Sequence, residues 1–475
     1  MPNIRKIILT LLVVFAACPL SAEQVMTLEE FDGGNLDFKA GFFTDTFYGS
    51  RGDGLRMGGA VSGLDFNPSF TSYNPAVLAF LKSRTAAFGG VPLGIFNSSW
   101  ITFANDEIKE MINEQLSQAF DGITLAPGVT TEVSSIDVYL EQIPMATNFE
   151  LMLPFAQNQV GVAIAREEKN VLDINMMFTG LEFLVNITDD ADASFDMTAR
   201  AKADAVMDID FRTIVTSYGL GRQLAPFWGI GAVLEHYQSR LYINARAEAD
   251  AIATLMGNTL EYNTNDANSL SQRANADLTS DTWGLRVGTS IRMPGDVAEA
   301  AVDFAMAPTI AFKGDINVIS RMIPADSQQL IDEFMAGYLT TEEQVLEGTD
   351  AQLSIKVPSY MRVSFSYKPG AVFTLNYIHY FDGFNIKYGN DYEMHMQMFN
   401  AVRLGFNFQY FQMGAGLAYA RVWIKDKNVE DTQYWGVIPT ASFGFNIQIN
   451  PGLLSEITMF AFPFPLLKAA VAYTF

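Results

Sequence analysis

From Phe195 to Phe211 the chain alternates with period two. Odd positions carry Phe, Met, Ala, Ala, Ala, Ala, Met, Ile and Phe, and even positions carry Asp, Thr, Arg, Lys, Asp, Val, Asp and Asp. A strand sends successive side chains to opposite faces, whereas a helix would spread this pattern around its circumference. At about 3.3 Å per residue the run covers roughly 50 Å, about twice the apolar band of a membrane barrel, so the strand must project beyond any bilayer it crosses. Leu241 to Ala253 repeats the device. There Leu241, Ile243, Ala245, Ala247, Ala249, Ala251 and Ala253 oppose Arg240, Asn244, Arg246, Glu248 and Asp250, and Thr198–Ala205 (TARAKADA) and Asn244–Ala251 (NARAEADA) are near copies. Opposite charges across neighbouring strands would help fix their register.

The C-terminal stretch Leu467 to Phe475 (LKAAVAYTF) alternates too, with Leu467, Ala469, Val471, Tyr473 and Phe475 on one face. An uncovered edge strand of this kind invites aggregation in a soluble sheet. In a closed barrel the apolar face meets lipid and the terminal rings sit at the aqueous boundary. The ending resembles the C-terminal signature of bacterial outer-membrane barrels, which their assembly machinery reads.

The N-terminus fits export. Arg5 and Lys6 precede the apolar run Ile7–Cys18, and Pro19-Leu20-Ser21-Ala22 ends it on a small residue before Glu23, so residues 1–22 read as a secretory signal. A loose lipobox around Cys18 is the rival reading. In either case the only cysteine stays out of the mature fold, which leaves no disulfide and no thiol chemistry. Hydrophobic residues make up 49% of the chain and charged residues 17%, yet beyond the signal no uninterrupted apolar run reaches the length of a spanning helix. Apolar content is spread in alternation instead. The net charge of −23 opposes a nucleic-acid partner, which needs basic surface to neutralise phosphates.

Further strand candidates run through Met145–Phe155, Val160–Ile164, Trp283–Met293, Val297–Phe312, Ala351–Tyr367, Val372–Phe381, Val402–Tyr410, Met413–Ile424, Ala441–Ile449 and Leu453–Phe460. Pro294-Gly295, Pro369-Gly370 and Pro451-Gly452 mark turns between them. Two stretches, Asp106–Phe120 and Ser327–Leu346, approximate helical spacing and read as loop helices. The fold expected is an all-β transmembrane antiparallel barrel of 14 to 16 strands over residues 84–475, preceded by a plug over residues 23–83.

That plug rests first on composition. Residues 23–83 carry Gly33-Gly34, Gly52, Gly54, Gly58-Gly59, Asn67-Pro68 and Asn74-Pro75, which is turn chemistry. Irregular backbone cannot face lipid, so the segment belongs in a lumen or in the periplasm. Within it, Met57-Gly58-Gly59-Ala60 is followed by an acidic stretch and then Tyr73-Asn74-Pro75-Ala76-Val77-Leu78-Ala79. This ordered pattern resembles the N-terminal hatch of the FadL family, outer-membrane transporters of long-chain fatty acids and other hydrophobic compounds. Val357-Pro358-Ser359-Tyr360-Met361-Arg362-Val363 is similar to a Pro-led strand of the same family. Val77 stands where Gly is common in the family.

The resemblance implies fourteen strands, a hatch at Gly58, Gly59, Asn74, Pro75 and Ala76 that shifts on ligand binding, and a kinked third strand through which substrate leaves sideways. It implies a monomer in the outer membrane of a diderm bacterium, in contact with membrane lipid and handled by the barrel assembly machinery during biogenesis. Its passenger would be a hydrophobic small molecule, fatty acids by default.

Catalytic signatures are missing. His236, His379 and His395 have no metal-ligand spacing, and neither a G-x-S-x-G elbow nor a Walker-type loop occurs. No cofactor is called for, and the chain reads as a non-enzyme, although a barrel lipase needs only three convergent side chains that sequence does not reveal. Gly219-x-Gly221, Gly229-x-Gly231 and Gly414-x-Gly416 point to close backbone approach. For a passenger's tail, Met111, Ile331, Phe334 and Met335 of the helical stretches are groove candidates, with rim-covering helices the plainer reading. For its head group, Arg200, Arg240 and Arg246 are candidates, against solvated pairing with neighbouring carboxylates. The functional alternatives are a surface-scaffold barrel of the same fold and a general porin.

Overall fold

A computed structural model describes residues 23–30, 33–42, 57, 60–64, 69–90, 137–139, 148–188, 196–255, 258–262, 270–322, 342–350, 353–389, 392–408, 410–426, 429–462 and 466–475. Its strands are, in order, β1 (Glu23–Glu30), β2 (Gly33–Phe42), β3 (Thr85–Gly90), β4 (Asp137–Tyr139), β5 (Asn148–Phe155), β6 (Val160–Thr188), β7 (Asp196–Ala225) and β8 (Trp228–Leu255). Then follow β9 (Asn258–Tyr262), β10 (Leu270–Arg292), β11 (Ala298–Met306), β12 (Thr309–Ala311), β13 (Asp315–Met322), β14 (Glu342–Asp350), β15 (Leu353–Lys356) and β16 (Tyr360–Tyr367). The last are β17 (Val372–Tyr380), β18 (Phe384–Tyr388), β19 (Tyr392–Asn407), β20 (Phe411–Asp426), β21 (Val429–Asn450), β22 (Leu453–Phe462) and β23 (Leu466–Thr474). A 3-10 helix, Pro75–Phe80, precedes β3.

β3, β5, β6, β7, β8 and β10 pair in succession, each antiparallel to the next. Three wall strands follow that are each built from consecutive segments: β11 to β13, β14 to β16, and β17 with β18. β19 to β23 complete the ring, and β23 returns to β3 with Thr474 opposite Thr85 and Val471 opposite Phe88. The result is a closed antiparallel barrel of 14 strands. Closure leaves the ring no open edge, which is the condition for standing in lipid.

Tight turns gather at one end. Ala156-Gln157-Asn158 and Asp296 adopt positive φ there, and Gly295 beside Asp296 has φ +79°. Phe155, Phe227, Trp228, Tyr367, Phe408, Tyr410 and Phe475 are exposed near these turns, as an aromatic girdle requires. Above this turn end the wall alternates. On β10, Arg286, Ser290 and Arg292 are buried inward, while Trp283, Leu285, Val287 and Ile291 are exposed outward. On β23, Lys468, Ala470 and Ala472 are buried; Val471, Tyr473 and Phe475 face out, with the last two rings stacked at 5.7 Å.

The outward apolar stripe then stops. On β8 it runs from Trp228 to Leu234 and gives way past His236 to Gln238 and Arg240; on β10 it ends at Trp283, with Asp281, Thr279 and Asp277 beyond. From Trp228 to His236 is about 27 Å along the strand, close to the height of a bilayer's apolar band. Beyond that line the polarity of the two faces exchanges. Phe211, Leu241 and Leu278 are buried inward, and the charged parity meets water. The alternation at Phe195–Phe211 and Leu241–Ala253 therefore belongs to an extension past the membrane, and the expectation that alternate apolar side chains look into lipid holds only for the turn-end half of these strands. Lys202 stands opposite Asp250 in the β7–β8 register, so the near copies place opposite charges at partnered positions.

β1 and β2 run along the outer part of β6, opposite Thr188 to Glu182 and Thr179 to Asn170, above the short β5. Two expected strands are divided. Val297–Phe312 breaks at Ala307-Pro308 and Ala351–Tyr367 at Val357-Pro358-Ser359, where proline has no amide hydrogen for the ladder. Residues 342–346 of the expected helix Ser327–Leu346 lie in β14, and the rest of it, like Asp106–Phe120, lies outside the described residues.

Candidate functional site

Residues 57, 60–64 and 69–83, within the segment expected to be a hatch and called so below, pack inside the wall at the turn end, just before β3. Asn74 caps the 3-10 helix by accepting from the Ala76 amide at 2.9 Å, and Pro75 pre-sets the first turn. The Asn74 Nδ2 group donates to the carbonyls of Thr289 (3.0 Å) and Val302 (2.8 Å), which face each other across β10 and β11. One side chain thus both starts the helix and fastens it to the wall. Val61, Phe70, Tyr73, Val77, Leu78 and Leu81 form the hatch's own apolar core, packed on Met152, Ala165, Val233 and Ala301 of the wall.

The wall opposite is made of glycine. A Cβ on Gly231 would lie 2.2 Å from the Pro75 carbonyl oxygen, on Gly161 2.0 Å from that of Leu78, and on Gly221 2.6 Å from the Ala79 amide. On the far side Gly414 would clash with the Met57 carbonyl at 2.0 Å. These are backbone-to-backbone contacts, so the glycine pairs read from the sequence mark where the hatch lies against the barrel.

Charged side chains complete the seal. Arg286 donates from Nη2 to the Phe70 carbonyl (3.1 Å) and from Nη1 to those of Thr71 (2.9 Å) and Tyr73 (3.3 Å), with Glu235 at 3.0 Å from its Nε. Arg362 donates to the Ser72 carbonyl at 3.0 Å and grips Asp303 with two bonds of 2.9 and 3.1 Å. Two guanidinium groups therefore receive four successive hatch carbonyls, Phe70 to Tyr73. Arg292 donates to the Gly63 carbonyl at 2.7 Å, stacks over the Phe80 ring at 4.2 Å and lies 3.4 Å from Glu299. Asn376 both accepts from and donates to the Val61 backbone, and Glu150 accepts from the Phe70 amide. Buried charge of this kind is stable only when paired and hydrogen-bonded, and here each cation has a carboxylate beside it.

A different environment lies further along the same strands. Phe211 and Val215 of β7, Tyr237 and Leu241 of β8, Ala276 and Leu278 of β10, Ile310 and Phe312 around β12, Ile355 and Val357 around β15, and Phe384 of β18 form one apolar core, none of them more than 8% exposed. Phe211 and Phe312 meet edge to face at 5.9 Å. Tyr237 joins the two layers, since its hydroxyl donates to Glu235 at 2.8 Å. Among the described residues these side chains pack against one another across the lumen, and one row of buried hydroxyls, Thr213, Ser239 and Ser280, lies between the Phe211–Leu241–Leu278 row and Val215 and Tyr237, with Thr213 and Ser239 2.8 Å apart.

No family model matches this chain, and no curated protein does. Among solved structures, a FadL homologue of Pseudomonas aeruginosa aligns over 91% of this chain and 99% of its own, at 13% identity and a TM-score of 0.48. The toluene transporters TbuX of Ralstonia pickettii (9% identity, 90% of this chain and 98% of its own, TM-score 0.44) and TodX of Pseudomonas putida (9%, 91% and 99%, 0.44) align as well.

Of the residues singled out from sequence, Asn74, Pro75 and Ala76 sit at the hatch–wall contact. Gly58, Gly59, Met111, Ile331, Phe334 and Met335 lie outside the described residues, as does the side chain of Arg200. Arg240 and Arg246 are on the outward face of the extension. Arg240 binds Asp277 through two bonds of 2.9 and 2.8 Å, and Arg246 pairs with Glu248, which also receives Arg273 at 2.9 Å. These guanidinium groups hold the carboxyls of Asp277 and Glu248 below the usual carboxylate range. Sequence reasoning missed Arg286, Arg292, Arg362, Glu235, Glu299 and Asp303. The signal was there: each is a charge placed singly inside an apolar strand, at the parity opposite its lipid-facing neighbours.

Proposed function

We propose that this protein is an outer-membrane channel for passive uptake of hydrophobic molecules, whose expected plug over residues 23–83 supplies a luminal stopper through Met57, Ala60–Leu64 and Ser69–Ser83. The reading is carried by one observation: directly above a hatch latched by polar groups, the lumen is lined and filled by apolar side chains from six segments of the wall. A porin for polar solutes needs an open polar lumen, whereas the described side chains at that height are mostly apolar and packed together. An amphiphile would lay its tail among Leu241, Leu278 and Ile355, with its polar end toward the Tyr237–Glu235–Arg286 layer. Long-chain fatty acids are the first passengers to try, and uncharged lipophiles the second. The test is binding by the purified protein in lipid nanodiscs, read by displacement of the dye N-phenylnaphthylamine. Saturable displacement by oleate or by an alkylbenzene supports the reading; absence of saturable dye binding refutes it.

A further inference from the structure

The wall does not stay cylindrical up to the loop end. β10 pairs with β11 from Arg292 to Leu285 and with β13 from Ala276 onward, and between these only Thr279 and Lys313 bridge, through bonds of 2.9 and 2.8 Å. Over that gap β12 leaves β10 and turns inward. Its two neighbours bend at the same height, at Val357-Pro358-Ser359 and Phe381-Asp382-Gly383, and the three bends are stitched together. The Val357 amide donates to the Pro308 carbonyl (3.2 Å), the Phe381 amide to that of Ser359 (3.0 Å), the Ser359 amide to Asp382 (2.7 Å), and Lys356 pairs with Asp382 at 2.7 Å. β12, β15 and β18 remain paired with one another through the bend.

Phe211, Leu241 and Leu278 form a row across β7, β8 and β10, which are register partners. Phe312 reaches over that row to touch Phe211, the member farthest from its own strand. The barrel is therefore flattened here into two facing sheets, with an apolar core between them as in a sandwich. We infer that this core is a second closure in series with the hatch, and that it, not the hatch, sets what crosses: lipophilic groups dissolve into it, and hydrated ions are refused. An apolar constriction excludes ions because the hydration shell must be shed with nothing to replace it. The hatch is fixed to the wall by guanidinium and carboxylate groups as well as by its own apolar core, so its seal is of mixed chemistry. The inference deepens the uptake reading and rests on it.

The test is a two-by-two set of full-length variants in planar bilayers: wild type, the loosened latch R286Q/R362Q, the opened core I310S/F312S, and the combination. Faster amide exchange at Phe70–Tyr73 verifies that the latch is loose, and heat-modifiable migration verifies each fold. Ion conductance is expected only when both closures are broken. Conductance with the latch alone loosened overturns the inference, and so does silence in the combined variant. An independent measurement uses F312C in the otherwise intact chain. A charged thiosulfonate is expected to label it at least about tenfold more slowly than an uncharged thiosulfonate of similar size, each rate taken relative to a free thiol; equal relative rates overturn the inference. Dye binding in the same samples separates the two claims, because its loss speaks against uptake and leaves the ion seal as measured.

Discussion

His236 and Trp283 stack ring on ring, centroids 4.3 Å apart and planes 19° apart, and His236 Nε2 also lies 2.7 Å from Asp281. The stack joins β8 to β10 on the outward face, at the row where the apolar stripe ends. Rings with one polar edge settle at the membrane–water boundary, so the pair marks how far the lipid reaches. Val287 faces out opposite Ala232, midway along the stripe. Val287→Arg is expected to cost about 2–4 kcal/mol in bilayer refolding, the depth-dependent cost of a cation at mid-membrane. Gln238→Arg, one step past the His236 row, should stay within about 0.5 kcal/mol of wild type. Equal costs would place the boundary elsewhere.

Removing one partner of the Arg362–Asp303 pair leaves a buried carboxylate unpaired. Arg362→Met should destabilise the protein by about 3–5 kcal/mol, and adding Asp303→Leu should recover part of that loss. Denaturant unfolding gives the totals. A double variant no better than the single would show that the cost is lost grip on Ser72 instead of stranded charge.

Gly231→Ala brings a methyl group into the Pro75 carbonyl, backbone against backbone, and should loosen the hatch by about 1–3 kcal/mol. A Cβ on Gly436 meets nothing within 4 Å, so Gly436→Ala is its control and should be near neutral. Protection of the Ala76–Leu78 amides from hydrogen exchange should fall in the first variant and hold in the second.

Lys82, at the end of the hatch, reaches Asp296 in the β10–β11 turn at 2.6 Å and holds its carboxyl below the ordinary aspartate range. A depressed carboxyl stabilises the folded form fully above its unfolded pKa, about 3.9, and that contribution is lost as pH falls through the lower folded value. Both groups are largely solvated, so the effect is at most about 1 kcal/mol and fades in salt. Amide hydrogen exchange at Leu81–Arg84, corrected for its intrinsic pH dependence, should rise below pH 4 in wild type and show no such rise in Asp296→Asn.

Much of this was legible in the residues. The ending at Val471, Tyr473 and Phe475 gives its lipid face directly, and Gly219-x-Gly221 and Gly229-x-Gly231 announce a close neighbour. Which parity faces inward was harder to read. Near Ile214 on β7 the outward set passes from charged to apolar, and alternation alone has the same period on both sides of that exchange. The latch stayed hidden for a related reason. Arg286 between Leu285 and Val287 looks like an interruption until the inward face is known, and its partners Glu235 and Phe70 to Tyr73 are distant in sequence. Pro308 and Pro358 stand inside two stretches read as continuous strands, and only the ladder shows that both break, at one height and in one direction.

The seam where β23 meets β3 sets the order of assembly. Thr85 and Thr474 are register partners separated by nearly the whole ring, so their pairing closes the longest loop in the fold. Contacts of such long sequence separation carry a large entropic toll and form late. Until then the incomplete sheet has two unpaired margins, so a single late pairing, β23 on β3, turns an open sheet with two exposed ladders into a ring with none.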